Sequence, residues 1–180
     1  MKRTHKCNQV TEDLIGQEIS VTGWIHRRRD HGGVIFFDLR DEDGLVQVVY
    51  NPDSESTFSL AETCRNEFVI FSSGLVRKRP DGTENSNLET GQVEIVATQL
   101  EILNPSLPIP FQLDEYTSVG EETRLKYRFL DLRRPEMQEN LRLRSKVSSV
   151  FRSFLTKQDF IEIETPILTK ATPEGWFESS

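Results

Sequence analysis

Segments in which apolar and polar residues alternate recur through residues 1–104, and this pattern restricts the possible folds more than any other feature. In segment 18–27, Ile19, Val21, Gly23 and Ile25 fall on one face, and mostly polar residues fall on the other. A period of two is typical of a half-buried β-strand. The same reasoning predicts a short helix after Ser54 and four more strands, at 34–40, 45–50, 68–77 and 93–103.

The order of these elements is strand, strand, strand, helix, strand, strand. It is the order of the OB fold, a five-stranded Greek-key barrel that closes most of its sheet edges. Asp30, His31 and the two glycines after them predict a tight connection between the first two strands, because glycine adopts a positive φ without strain. We therefore predict an all-β OB-fold barrel, with five strands and one short helix, over residues 1–104.

Two basic triplets stand at the ends of predicted strands, Arg-Arg-Arg at 27–29 and Arg-Lys-Arg at 77–79. In an OB fold, the loops after the first and fourth strands flank the face that binds nucleic acid. Arginine side chains pair with phosphates and with guanine edges through two parallel hydrogen bonds. The triplets therefore predict a module that binds a short single-stranded stretch of nucleic acid.

Phe36 shares a strand face with Val34 and Asp38, whereas Phe37 points the other way and is predicted to be core. Bases bound to OB folds stack on aromatic rings, at roughly 1–3 kcal/mol per base, which makes Phe36 a candidate stacking platform. The alternative is that Phe36 packs in a core. Gln47 in the third strand offers an amide that both donates and accepts hydrogen bonds, which suits the edge of a base.

The net charge of −7, from 22 basic and 29 acidic residues, argues against a general polyanion binder. Any contact with nucleic acid must then be confined to a local surface whose shape fits the ligand. Residues 124–157 form a basic exception, with ten basic and three acidic residues. This stretch predicts a second positive surface, or else a solvated face without a partner.

Two cysteines, Cys7 and Cys64, are the only ones in the chain, and no paired spacing suggests zinc. No apolar run approaches the roughly 20 residues that a membrane span requires. The N-terminal residues lack the apolar centre of a signal peptide. These features predict a cytoplasmic protein with reduced thiols.

A proline-rich stretch at 104–110 stiffens the chain and separates the barrel from a second region. Beyond it, Arg134 and Pro135 predict the start of a long amphipathic helix, and the alternation in 160–164 predicts a strand. The predicted organisation is a barrel at 1–104, a linker at 105–135 and the start of another domain at 136–180.

Several strings resemble bacterial-type aspartyl-tRNA synthetases: Gly-Trp-Ile-His-Arg-Arg-Arg-Asp at 23–30, Phe-Phe-Asp-Leu-Arg-Asp at 36–41, and Arg-Leu-Lys-Tyr-Arg-Phe-Leu-Asp-Leu-Arg-Arg-Pro at 124–135. Phe-Ile-Glu-Ile-Glu-Thr-Pro at 160–166 resembles motif 1 of class II synthetases, although Asp159 stands where glycine is usual. Thr-Pro-Glu-Gly at 172–175 is similar to the start of the flipping loop. Lysyl and asparaginyl enzymes share the barrel and motif 1, but the Arg-Arg-Pro and Thr-Pro-Glu-Gly strings favour the aspartyl member.

This resemblance implies roles for particular residues. The anticodon contacts it implies are Arg27, Arg29, Phe36, Gln47, Arg79 and Glu94, although Glu94 has the alternative of being an exposed strand carboxylate. It implies that Glu174 meets the ammonium group of aspartate and that Pro166 ends the motif 1 segment at a two-fold dimer interface. His31 and Gly82 match residues of members with relaxed tRNA discrimination, or are ordinary turn residues.

The resemblance also implies partners and cofactors for complete members of the family. These are tRNA(Asp), tRNA(Asn) as well in relaxed members, a second subunit, and ATP with magnesium. The match stops after Gly175, and motifs 2 and 3, whose arginines hold ATP, do not occur in the sequence. We therefore expect the 180 residues alone to bind neither ATP nor Mg²⁺ and to lack ligase activity.

Two interpretations share the barrel chemistry. In the first, the chain is the N-terminal portion of an aspartate–tRNA ligase, truncated in the motif 1 and flipping-loop region. In the alternative, it is a stand-alone OB-fold tRNA-binding module without catalysis. An unrelated single-strand-binding protein is a weaker third interpretation, because it leaves residues 124–175 unexplained.

Overall fold

The computed structural model describes residues 2–113 and 118–168. The chain divides into two compact units, Met1–Gln112 and Leu113–Ser180, and each is described by itself. The boundaries expected at residues 104 and 135 stay predictions. No helix in the described part of the chain is both long and apolar enough to cross a membrane.

The first unit is a closed five-stranded barrel with the spatial order β1-β2-β3-β5-β4. All pairs are antiparallel except β3 with β5, which is parallel. The OB fold is thereby confirmed. Its elements are β1 (Glu18–His31), β2 (Val34–Arg40), β3 (Leu45–Tyr50), α1 (Glu55–Thr63), β4 (Val69–Lys78) and β5 (Val93–Asn104), preceded by short 3₁₀ turns at Cys7–Gln9 and Glu12–Leu14.

The alternating apolar residues form the barrel core, as their period of two predicts. Ile19, Val21 and Ile25 of β1 are buried, and Phe37 of β2 is fully enclosed. The ring of Phe37 lies 4.8 Å from that of Tyr50, centroid to centroid. Cys7 and Cys64 are both buried and not disulfide-bonded, as expected of reduced thiols.

Strand β1 is longer than its sequence pattern predicts, because it continues through the arginine triplet to His31. Gly32 and Gly33 alone make the hairpin turn, with φ angles of 59° and 77°, a combination that favours glycine at both positions. The triplet at 27–29 therefore lies inside a strand, and its predicted place at a strand end was wrong. The triplet at 77–79 does lie at a strand end, because β4 stops at Lys78.

The second unit is helical where the structure describes it, with α2 (Glu121–Lys126), α3 (Arg128–Asp131) and α4 (Pro135–Thr156). Helix α4 begins with Pro135 in its first turn, as predicted, since proline has no N–H to lose there. The predicted strand at 160–164 is wrong for this structure. No described strand pairs with that segment, and an alternating pattern forms a strand only against a hydrogen-bonding neighbour.

Asp159 follows helix α4 in the left-handed region, with a φ of 64°. The N–H groups of Asp159 and Phe160 donate to the carbonyls of Thr156 and Leu155, at 3.1 Å each, which closes the end of the helix. Glycine is the usual residue at such a position because it has no Cβ to strain the backbone. Asp159, which stands where glycine is usual in the motif 1 resemblance, therefore occupies a position that needs a positive φ.

Asp131 is the electrostatic centre of the second unit. Its carboxylate is shielded from solvent and accepts hydrogen bonds from Arg124 at 2.9 Å, from Arg134 at 3.1 Å, and from Arg128. Burial by itself raises the pKa of Asp131. The hydrogen bonds from Arg124 and Arg134, with the charges of Arg124 and Arg128, outweigh that effect, so the pKa lies below its ordinary value.

We expect Asp131→Asn to lower the free energy of unfolding of the second unit by about 3 kcal/mol at neutral pH, because three guanidinium groups lose their shared anion. A carboxylate with a depressed pKa stabilises the folded state above its unfolded pKa, and that stability disappears as the pH falls through the folded pKa. Helical circular dichroism during denaturation, at neutral pH and below pH ~4, measures both effects. Glu136→Gln is the matched control, since Glu136 pairs with Arg134 from an exposed position. An Asp131→Asn variant as stable as the parent would contradict this role.

Candidate nucleic-acid interface

One side of the barrel carries an open cleft of about 690 Å³. Strands β1, β2 and β3, the end of β4, the start of β5 and the β4–β5 connection contribute to its walls. The cleft is lined by Arg27, Arg29, Asp30, His31, Val34, Phe36, Asp38, Gln47, Val49, Asn51, Arg77, Arg79, Pro80, Thr83, Asn85 and Glu94. The six residues expected to contact an anticodon all lie in this set.

Arg29 contacts three other residues of the cleft. Its Nη2 donates to Asp38 Oδ1 at 2.5 Å and to Gln47 Oε1 at 3.1 Å. The guanidinium carbon lies 5.9 Å from the centroid of the Phe36 ring. These contacts hold the guanidinium beside an aromatic face that is half-buried and open to the cleft. A base can stack on that ring while its edge meets fixed donors and acceptors.

Glu94 differs from the exposed strand carboxylate that was its alternative. It is 1% exposed and accepts hydrogen bonds from Gln47 Nε2 at 2.6 Å and from Arg77 Nε at 2.7 Å. Gln47 is also buried, and its amide is engaged at both ends, by Glu94 and by Arg29. The floor of the cleft is therefore a continuous hydrogen-bonded chain whose polar groups are fixed before any ligand arrives.

Arg79 is 5% exposed, and its Nε donates to the carbonyl of Val93 at 3.0 Å. Its Nη2 is buried and has no hydrogen-bond partner among the described residues. Burial lowers the pKa of Arg79, and the nearby carboxylates of Glu94 and Asp38 oppose that shift. A buried donor without a partner costs free energy, and an acceptor atom on a bound ligand would satisfy it.

Arg27 and His31 also line the cleft from β1, and both are exposed. No described residue forms a hydrogen bond or ion pair with the side chain of Arg27, which leaves its donors for a ligand. Gly82 does not line the cleft. Its φ of 83° favours glycine whatever the neighbouring site binds, and a Cβ there would meet no atom within 4 Å.

Two residues of the hydrogen-bonded network in the cleft, Asp38 and Arg77, are not among the site residues predicted from the sequence. The strand period puts Asp38 on the face of Phe36, and the structure makes it the partner of Arg29. Arg77 belongs to the second basic triplet, and it pairs with Glu94 at 2.7 Å. The period of two in β2 could have indicated Asp38, because it follows Phe36 by two residues. Nothing local signals the Arg77–Glu94 pair.

A closed five-stranded barrel whose cleft joins an aromatic ring to arginines and amides defines an OB-fold nucleic-acid-binding domain. The family model of that description, "OB-fold nucleic acid binding domain", matches residues 19–103. A second model, "tRNA synthetases class II (D, K and N)", matches residues 120–177. Two parts of the chain are therefore similar to this group of proteins, residues 19–103 to an anticodon-binding type of OB domain and residues 120–177 to part of a class II synthetase domain.

Solved structures agree with this fold. The chain is similar to asparaginyl-tRNA synthetase from Pyrococcus horikoshii complexed with asparaginyl-adenylate, with a TM-score of 0.81 and 24% identity over 95% of this chain. It is also similar to aspartyl tRNA synthetase from Entamoeba histolytica, with a TM-score of 0.84 and 22% identity over 94% of this chain. The chain spans 38% and 40% of those two proteins, respectively.

The barrel alone resembles a smaller protein, the OBody AM2EP06 bound to hen egg-white lysozyme. The TM-score is 0.52 and the identity 27%, over 59% of this chain and 97% of that one. An OB barrel of this size therefore occurs as nearly the whole of another folded chain.

Proposed function

We propose that the barrel recognises the anticodon loop of a tRNA as part of an aspartate–tRNA ligase in the cytoplasm. The observation that carries this proposal is the fixed network in the cleft, in which Arg29 lies beside the Phe36 ring and is hydrogen-bonded to Gln47, which in turn donates to Glu94. Stacking gives such a site affinity for single-stranded bases, and the fixed amide and guanidinium groups give it selectivity. The match of residues 19–103 to the OB-fold nucleic-acid-binding model supports this proposal.

The choice of aspartate within the group rests on the Arg-Arg-Pro and Thr-Pro-Glu-Gly strings. Glu174, the residue expected to meet the substrate ammonium, lies outside the described residues, so its role stays a prediction. A carboxylate is chemically suited to that task because it forms charge-assisted hydrogen bonds with an ammonium group.

The stand-alone tRNA-binding module remains the alternative, and the size of the OBody is the observation that favours it. An open reading frame that continues into motif 2 after the Gly175 codon would decide for the ligase.

Class II synthetases use ATP with Mg²⁺ in their complete form. In residues 2–113 and 118–168, no group of three or more histidine, cysteine or acidic side chains could hold a metal ion.

Dimerisation in the complete protein is a further part of the proposal. Helix α4 leaves Val150, Phe151 and Phe154 at least 60% exposed, and Pro166 is exposed as well. An apolar stripe of this kind marks an interaction surface on a soluble protein. A homodimer formed through the motif 1 segment would cover it.

The cleft itself is tested with an anticodon stem-loop. We expect the chain to bind a stem-loop carrying an aspartate anticodon more tightly than the same stem with a scrambled loop, as measured by fluorescence anisotropy. Equal affinity for the two loops would contradict the proposal, because phosphate contacts alone do not distinguish base sequence.

The last anticodon base separates the two tRNA partners, since cytosine specifies aspartate and uracil specifies asparagine. His31 lines the cleft and Gly82 does not, and neither residue supplies an obvious cytosine-specific acceptor. We expect stem-loops whose anticodon ends in cytosine or in uracil to have dissociation constants within about tenfold of each other, or ~1.4 kcal/mol. A hundredfold preference for cytosine would instead identify a discriminating enzyme.

A further inference from the structure

Arg28 lies between two cleft residues on β1, yet its side chain belongs to a different pocket. Alternation along the strand sends Arg27 and Arg29 into the cleft and Arg28 to the opposite face. There it lines a second open pocket of about 530 Å³ within the barrel unit. The other lining residues are Arg65, Asn66, Ser106, Pro108, Ile109 and Gln112.

The polar side of this pocket is held in place by backbone hydrogen bonds. Asn66 Oδ1 accepts from the Arg28 N–H at 3.0 Å, and the Glu67 N–H donates to the Ile25 carbonyl at 2.7 Å. Glu67 itself adopts a φ of 66° and is buried, with its carboxylate paired to Arg40 at 2.9 Å. The turn between α1 and β4 is thus fastened to β1, which fixes Arg28 relative to Arg65.

Donors in this pocket remain without acceptors. The Nε of Arg28 is buried and has no hydrogen-bond partner among the described residues. Arg65 uses Nη1 for the carbonyls of Glu62 and Cys64, and no described residue accepts from its Nε or Nη2. Both positive charges act on Cys64. Burial raises the pKa of that thiol to about 11, and Arg28 and Arg65 each oppose the rise.

The charge balance distinguishes this pocket from the cleft. Asp38 and Glu94 pair with the cleft arginines Arg29 and Arg77, whereas no carboxylate lines the second pocket. Asp30 pairs with Arg28 Nη1 at 2.6 Å, but its side chain is 55% exposed, where an ion pair is weak. Two guanidinium groups and an amide without a carboxylate form a site for an anion with several acceptor oxygens, such as a phosphate.

We propose that this second pocket binds a backbone phosphate of the RNA whose loop occupies the cleft. The inference rests on the proposed function. Arginine donors lie on both faces of one strand, so an RNA that crosses β1 where its loop joins its stem can contact the cleft through the bases of the loop and the pocket through a phosphate of the stem. Base contacts then specify the loop, while the phosphate contact positions the stem.

The test compares two RNAs on the full 180-residue chain, an anticodon stem-loop and the loop sequence alone as a short single strand. We expect Arg65→Gln to weaken binding of the stem-loop five- to tenfold and to reduce the slope of log affinity against log salt by about 0.7–0.9. Affinity for the single strand should not change. Arg28→Gln should have the same effects on stem-loop affinity and on the salt slope. Thermal denaturation checks that both variants fold. Lys2→Gln removes one charge from an exposed residue outside both pockets and should change neither affinity.

Each remaining outcome has a definite meaning. Parental affinity and salt slope in both arginine variants, while Phe36→Ala still weakens both RNAs, would overturn the pocket and leave the proposed function standing. Saturable binding of inorganic phosphate that depends on Arg65, without any effect on RNA, would identify a small phosphate ligand and also overturn the assignment to RNA. Failure of the parent chain to bind either RNA would remove the proposed function and this inference together.

Discussion

Replacing Phe37 with alanine is expected to cost about 3–5 kcal/mol of the free energy of unfolding, because the ring is fully buried and its removal leaves a cavity beside Tyr50. Phe36→Ala, one residue earlier, should leave stability within about 1 kcal/mol of the parent and weaken binding of an anticodon stem-loop by roughly 1–3 kcal/mol. Urea denaturation measures the first effect and fluorescence anisotropy the second.

Phe36→Tyr is the control for the binding effect, since it keeps an aromatic face toward the cleft and should retain most of the affinity. The adjacent substitutions thus separate folding from recognition in one strand. Unchanged stem-loop affinity in a folded Phe36→Ala variant would remove Phe36 from the site. A Phe37→Ala variant with parental stability would contradict the assignment of that ring to the core.

Glu94→Gln should lower stability by about 2 kcal/mol, because Arg77 loses its anionic partner while the shape of the side chain is kept. Binding to the cognate stem-loop should fall about tenfold to thirtyfold, or ~1.4–2 kcal/mol, since Arg77 and Gln47 no longer share a fixed acceptor. Binding to a scrambled loop should rise and become more salt-dependent, because the cleft loses a negative charge.

Glu101→Gln is the matched control for this substitution. Glu101 lies on the same strand, is exposed and has no described ion pair, so the same chemical change there should have little effect. If Glu94→Gln kept the parental preference for the cognate loop over the scrambled loop, the network on the cleft floor would have no part in selectivity.

Much of the barrel could be predicted from local pattern. Strand β3 has the predicted limits, and β2 has them too, because alternation and turn residues are local signals. The inward positions of Ile35, Phe37 and Leu39 followed from the same period of two. The predicted strand at 160–164 was wrong because an alternating pattern specifies which faces a strand would have and cannot supply its partner.

The cleft network needed the tertiary structure. Gln47 and Glu94 are far apart in sequence but come together because β3 and β5 pair in parallel, with Val48 opposite Ile95. Arg77 reaches Glu94 because β4 pairs with β5 in the register that sets these two residues opposite each other. Charge alone marks the residues as polar, but strand register decides which carboxylate meets which arginine.

The arginine triplet at 27–29 shows most clearly which features the sequence determines and which ones only the tertiary structure decides. Its composition and its place in the first strand determined that a basic group would adjoin the binding face. Strict alternation from Ile19, Val21 and Ile25 would have turned Arg27 and Arg29 toward the core. The structure instead shifts the register between Ile25 and Arg27, so that Arg27 lies opposite Asp38 and Arg29 opposite Phe36. A β-bulge adds one unpaired residue and moves every later side chain to the other face, and only the pairing of β1 with β2 decides where it occurs.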